Sequence, residues 1–183
     1  MQPSRHTIRL KGYDYSQNGL YFVTICTQNR ENLFGDIVDG KMKLNDAGEM
    51  IKIWWDKIPG KYTNVKLDIY QIMPNHIHTI IVVGAHPCVR PLSNPYVRSL
   101  HEGSTHGSTP TLGNVIQWFK TMTTNKYIRG IKINNWPPFN KRLFQRNYYE
   151  HIIRNEEEYL KIKEYIRQNP SLWSRDRNNL MKI

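Results

Sequence analysis

The sequence predicts an α+β fold: a ferredoxin-like antiparallel sheet with helices packed on one face, plus a C-terminal helix that carries a tyrosine. Three observations predict it. β-Branched and aromatic runs alternate with amphipathic helical stretches in the order β, α, β, β, α, β, α. The second and third strands are separated by so short a turn that they are expected to pair antiparallel. The last helix opens on Asn155 with Glu156, Glu157 and Glu158 in its first turn, where a capping amide and acidic groups satisfy the positive end of the helix.

Each element has its own signal. Residues 20–27 (LYFVTICT) are β-branched and aromatic between Asn18-Gly19 and Gln28-Asn29, and read as a central strand. In 44–58, Met50, Ile51, Trp54, Trp55 and Ile58 recur at helical spacing, with Asn45 or Asp46 to cap the start and Pro59-Gly60 to end it. Residues 65–72 alternate Val65, Leu67 and Ile69 with Lys66 and Asp68, a second strand; Met73-Pro74-Asn75 turns the chain into 76–83 (HIHTIIVV), a third. A helix is expected over 112–128, closed by Gly130, and a fourth strand over 144–153. The final helix covers 155–168 and stops at Asn169-Pro170. Between 84 and 110 the composition turns to Pro, Ser, Gly, Thr and His with no apolar stripe, so a mobile loop is expected there.

A chain of 183 residues fits one domain, 1–183, with enough core to need no staples. Its net charge of +11, from 26 Lys and Arg against 15 Asp and Glu, is spread along the chain and calls for a polyanionic partner. Nucleic acid fits best, because neutralised phosphates release counterions. Cys26 and Cys88 form neither a disulfide framework nor a metal motif and suit a reducing cytoplasm. No stretch approaches the roughly 20 apolar residues that cross a bilayer, so no membrane partner is expected.

His76 and His78 lie two apart in a strand and therefore leave the same sheet face, a two-imidazole metal platform. They open a strand of buried character, where unpartnered rings are costly. A closed zinc site adding His86 and Cys88 fits poorly, since a strand running through Val83 puts His86 roughly 25 Å from His78. On the last helix Tyr165 and Asn169 are neighbours, four residues apart, on the flank of an apolar stripe centred on Tyr159, Ile162 and Ile166. There they either meet the histidines or act as a packing ring and a helix cap.

The motifs Gly12-Tyr13-Asp14-Tyr15 before Tyr21-Phe22-Val23-Thr24, Met73-Pro74-Asn75-His76-Ile77-His78, Gln145-Arg146-Asn147-Tyr148-Tyr149-Glu150-His151, and Tyr165 followed by Asn169-Pro170 stand in this order. With that order and spacing the chain resembles the REP-associated tyrosine transposases of the HUH single-tyrosine superfamily. The resemblance spans most of the chain apart from the 84–110 loop and the last dozen residues. It implies one HUH nuclease domain in which His76 and His78 bind a metal, Tyr165 is the nucleophile and Asn169 adds an amide-oxygen ligand. The wider class often carries Gln four after the tyrosine; Asn is shorter by a methylene, which leaves Asn169 and Gln168 both open as the completing ligand. The resemblance also implies a 5′-phosphotyrosine intermediate, a free 3′-OH, and single-stranded or hairpin DNA as substrate.

The chemistry suits the residue types. A phenol of pKa about 10 is only about a thousandth ionised at pH 7, and a divalent cation beside it lowers the cost of the phenolate while polarising the phosphate. Two imidazoles and an amide oxygen suit Mg²⁺ or Mn²⁺ and would also take zinc. Basic residues interleaved with aromatics, Arg5, Arg9 and Lys11 before Tyr13 and Tyr15, and Lys141, Arg142 and Arg146 before Tyr148 and Tyr149, are the expected DNA-binding groups. The competing expectations are a non-catalytic nucleic-acid-binding module on the same fold and a structural-zinc protein. Tyr148, Tyr149 and Tyr159 are rival nucleophiles, and the chain is expected to work as a monomer or homodimer.

Overall fold

The computed structural model describes residues 19–84 and 110–180. Arg5, Arg9, Lys11, Tyr13, Tyr15, His86, Cys88 and the 84–110 loop apart from its two ends lie outside the described residues.

A four-stranded antiparallel sheet is ordered β4-β5-β1-β6, built from β1 (Gly19–Cys26), β4 (Val65–Met73), β5 (His76–Val83) and β6 (Tyr149–Ile153). β1 and β4, linked through α1 (Asp46–Asp56) and α2 (Ile58–Lys61), are separated by the later strand β5, an interleaved split β-α-β plan. α3 (Leu112–Asn134) links β5 to β6, and α4 (Glu156–Gln168) follows β6.

Strand alternation sorts side chains between two cores. Tyr21, Val23 and Ile25 of β1 and Ile77, Ile81 and Val83 of β5 enter a large core with Ile51 and Trp55 of α1 and Val115, Phe119 and Tyr127 of α3. Trp55 meets Phe119 edge-on at 4.7 Å between centroids, locking the two helices. On the other face Phe22, Ile80 and Ile153 pack with Ile166 of α4, flanked by Tyr159 and Ile162. Thus α1 and α3 share one face, and the tyrosine-bearing helix covers the other. β5 is covered on both sides, which explains its unbroken apolar run. His76 and His78 share the parity of Ile80 and so lie under α4.

Asn45 and Asn155 cap their helices as expected, and Thr111 adds a cap that was not. Asn45 Oδ1 accepts from Gly48 N at 2.9 Å, Thr111 forms a capping box with Asn114, and Asn155 Oδ1 accepts from Glu158 N at 2.8 Å. Several boundaries differ from expectation. Pro59-Gly60 does not end helical structure but sits in a further short turn, Ile58–Lys61, because proline is tolerated at a helix start. Gly130 does not close α3. The helix runs to Asn134 and is capped by Asn135 in the left-handed region, φ 54°. Gly130 is needed for a close approach: a Cβ there would collide with the Trp136 ring.

The fourth strand begins only at Tyr149. Phe144 makes an isolated bridge to Thr27, and the carbonyls of Gln145, Arg146 and Asn147 turn to Lys120 Nζ at 2.9, 3.4 and 3.2 Å instead of a ladder. A hairpin, β2 (Gly35–Val38) with β3 (Lys41–Leu44), was not expected. Its turn is Asp39-Gly40 with positive φ at both residues, 51° and 70°, a dipeptide that favours such turns. Among the described residues no helix is long and apolar enough to cross a membrane.

Gly130→Ala should destabilise the protein by roughly 1–3 kcal/mol through overpacking against Trp136. Its thermal midpoint should fall by several degrees. An unchanged midpoint would contradict the close-approach reading.

Candidate metal and nucleophile site

The site lies on the sheet face under α4. His76 stands opposite Cys26 and His78 opposite Thr24 in the β1–β5 register. Both histidines are fully buried, so each ring nitrogen needs a partner.

Asn75, in the tight turn before β5, fixes the first ring. Its Nδ2 donates to the carbonyls of Arg30 and Asn178, each at 2.9 Å, which leaves Oδ1 to face His76 Nδ1 at 2.8 Å. An amide oxygen only accepts, so Nδ1 carries the proton and Nε2 presents a lone pair. Among the described residues His76 Nε2 has no hydrogen-bond partner, and it lies 4.0 Å from Asp176 Oδ2. His78 Nδ1 is 2.8 Å from Thr24 Oγ1, and its Nε2 is 3.2 Å from the Tyr165 hydroxyl. In a neutral ring with Tyr165 donating to Nε2, Nδ1–H donates to Thr24.

α4 brings Tyr165 and Asn169 to this face, as their spacing implies. Asn169 Nδ2 donates to Asp176 Oδ2 at 3.0 Å, and its buried Oδ1 has no partner among the described residues. Asp176 Oδ1 accepts from Asn178 N at 2.6 Å. One ligand atom each from His76, His78 and Asp176 lie within 4.8 Å of one another. Two lone-pair atoms, His76 Nε2 and Asn169 Oδ1, are thus orphaned in a buried pocket beside a carboxylate, and this donor set fits a divalent cation. Gln168, the alternative to Asn169, is exposed and donates to Glu164 Oε1 at 2.6 Å.

Tyr165 is 39 % exposed, so its ring is open to solvent. Its ring sits 5.2 Å from His78 and 6.1 Å from Phe22, between centroids. Partial burial, reinforced by Asp176, pushes the phenol pKa up, while the Arg177 charge opposes the rise. Burial is also the main cause that holds His76 down at about 4, and it holds His78 well below 6.5, with the neighbouring His76 and Arg177 adding to it. Both rings are therefore neutral at pH 7, the form that binds metal.

The rival tyrosines are placed elsewhere or occupied. Tyr159 OH donates to Asp68 Oδ2 at 2.7 Å and accepts from Lys163 Nζ at 2.6 Å, tying α4 to β4. Tyr148 lies under the Lys120 ammonium, 5.6 Å from the ring centroid. Tyr149 is exposed, 6.0 Å from Phe22, with the Arg177 guanidinium 5.5 Å from its ring. Lys141, Arg142 and Arg146 are exposed on the connection from α3 to β6 and are not part of the buried cluster.

Sequence reasoning missed Asp176, Asn178, Arg177 and Thr24. The first three follow the last helix in a polar stretch without periodicity. Only the clustering of Asp and Asn there hinted at a role.

No family model matches the chain. An uncharacterized protein of Haemophilus influenzae is 40 % identical over 178 residues, which cover 94 % of this chain and 91 % of that protein. The chain belongs to the family of that protein. Among solved structures, it is similar to the REP-associated tyrosine transposase bound to a REP hairpin, with TM-score 0.55, 16 % identity, and coverage of 90 % of this chain and 73 % of that one. The likeness is one of fold.

Metal-stripped protein should lose stability as acid is added. On unfolding, both imidazoles return to about 6.5, so below that value the unfolded chain binds more protons than the native one. The contribution is complete above pH 6.5 and lost as pH falls: for His76, held at about 4, the loss is about 2 kcal/mol by pH 5, and His78, held well below 6.5, adds in the same direction. Urea midpoints at pH 7 and 5 measure it, and equal midpoints would contradict neutral burial.

Proposed function

We propose that this chain is a metal-dependent nuclease and strand-transfer enzyme of the single-tyrosine type, a transposase or a host-adapted relative, acting as one domain over 1–183. Its substrate is single-stranded or hairpin DNA; a REP hairpin is the ligand named for the structural neighbour. The observation that carries the reading is the Tyr165 hydroxyl 3.2 Å from His78 Nε2, beside the orphaned His76 Nε2 and Asn169 Oδ1.

His76, His78, Asn169 and Asp176 would hold Mg²⁺ or Mn²⁺. The ion supplies a Lewis acid for a phosphate oxygen and favours the phenolate. The chain's own residues do the rest. Asn75 and Thr24 fix the ring orientations, and Phe22 packs edge-on against the Tyr165 ring. Tyr165 Oη gives up its proton and attacks phosphorus, the bond from phosphorus to the 3′ oxygen breaks, and that oxygen leaves with a proton as a free 3′-OH. The 5′-phosphotyrosine ester keeps the free energy of the broken linkage, so joining to another 3′-OH needs no nucleotide cofactor.

Tyr165→Phe keeps the ring and deletes the attacking atom. It should abolish the covalent protein–DNA band formed with a labelled hairpin and Mn²⁺, and change DNA affinity less than twofold. His76→Ala and Asp176→Ala should lose both the band and metal binding. If the wild-type adduct maps by peptide sequencing to Tyr148, Tyr149 or Tyr159, the assignment is wrong. If no adduct forms while DNA still binds, the non-catalytic binding module is the correct reading.

DNA affinity should fall steeply with salt, given the net charge of +11. With six phosphates on a single strand, log K against log salt has a slope of roughly −4. A slope near zero would remove the electrostatic basis for binding.

A further inference from the structure

Beside the Tyr165 site, β6 and α4 enclose an open cleft of about 480 Å³ lined by Phe22, Tyr149, His151, Asn155, Glu158 and Ile162, among others. The cleft is continuous with the proposed reaction centre through Phe22, whose ring lies 5.5 Å from His78 and 6.1 Å from Tyr165.

The two ends of this region differ in charge: the carboxylates of one are paired, and the other carries a cation. At the α4 end, Glu158 Oε1 bonds His151 Nε2 and its Oε2 accepts from Arg154 N, while Glu157 pairs with Lys161. With its carboxylates paired, that end suits a neutral ring with hydrogen-bonding edges. At the other end Arg177 holds its guanidinium 5.5 Å from the Tyr149 ring. Its backbone is anchored, since Arg30 Nη1 donates to the Arg177 carbonyl at 3.0 Å, and the neighbouring Asp176 and Asn178 are buried. Tyr149, 42 % exposed, stands between the two ends and belongs to both. An aromatic wall with an anchored arginine next to it is how proteins grip an unstacked base and its phosphate.

We propose that this region is a nucleotide subsite: the cleft seats one unpaired base of the DNA flanking the scissile phosphate, and Arg177 takes a phosphate of the same stretch. The proposal rests on the nuclease reading for its register but is tested without cleavage. Affinity is measured by fluorescence anisotropy in EDTA, using a DNA hairpin with single-stranded tails in which each tail position in turn is made abasic.

For the wild-type protein, one tail position should be sensitive, its abasic substitution weakening binding about tenfold. In Ile162→Trp, which fills the cleft, that position should no longer matter, with overall affinity lowered about tenfold. Should Ile162→Trp fail to melt cooperatively, Tyr149→Ala, at an exposed ring, reads the same effect. Arg177→Ala should weaken all these DNAs alike and reduce the salt slope by about 0.7, one single-strand phosphate. A flat abasic profile, an unchanged profile in the cleft variants, or an unchanged salt slope in Arg177→Ala would overturn the subsite. Adduct formation with Mn²⁺ is followed in parallel. An adduct with a flat profile removes the subsite and leaves the nuclease, and a sensitive position without an adduct does the reverse.

Discussion

Two imidazoles with no solvent exposure, side by side on one face of a central strand, set the terms for everything around them. A buried ring nitrogen without a partner costs free energy comparable to a lost hydrogen bond, about 1–3 kcal/mol. Three of the four nitrogens are met by Asn75, Thr24 and Tyr165, which come from a turn, a neighbouring strand and a helix. The fourth, His76 Nε2, faces a carboxylate across 4.0 Å, close to an equally unpartnered amide oxygen. Such a pattern is poor economy for a core and sensible for a cation site.

The architecture follows from serving that face. α1 and α3 build the main core on the opposite side with Trp55, Phe119 and Tyr127, leaving the α4 side free of bulk stability duties. α4 needs only Ile166, Ile162 and Tyr159 to dock, with the Tyr159–Asp68 bond fixing it over β4. Its flank then delivers Tyr165 to His78. Beyond Pro170 a short 3-10 turn, Trp173–Arg175, redirects the chain so that Asp176 and Asn178 close the pocket from below, and Asn75 grips Asn178 in return. The turn before β5 and the segment after α4 are far apart in sequence and meet only at this site.

Much of this was legible because local rules sufficed. The period of two places His76 and His78 together, and the helical period places Tyr165 beside Asn169, whatever the surroundings. Antiparallel pairing of β4 and β5 follows from a two-residue turn. What escaped depends on packing that no periodic pattern encodes. Gly130 read as a helix stop, yet the physical reason for glycine is the Trp136 ring folded against the helix. The strand start at Phe144 was displaced to Tyr149 because Lys120 claims the intervening carbonyls. Asp176 carries no periodic signal, and its place is defined only by where the chain turns after α4. The Asp39-Gly40 hairpin signal was present but sat between weakly apolar runs.

The central claim is that the buried histidines form a metal site completed by Asp176 and Asn169. Titration of EDTA-treated protein with Mn²⁺, followed by the loss of the free-ion electron paramagnetic resonance signal, tests it most directly. One Mn²⁺ should bind per wild-type chain, and His76→Ala or Asp176→Ala should weaken it at least tenfold. No binding to wild-type protein, or equal binding by all three proteins, would contradict the account.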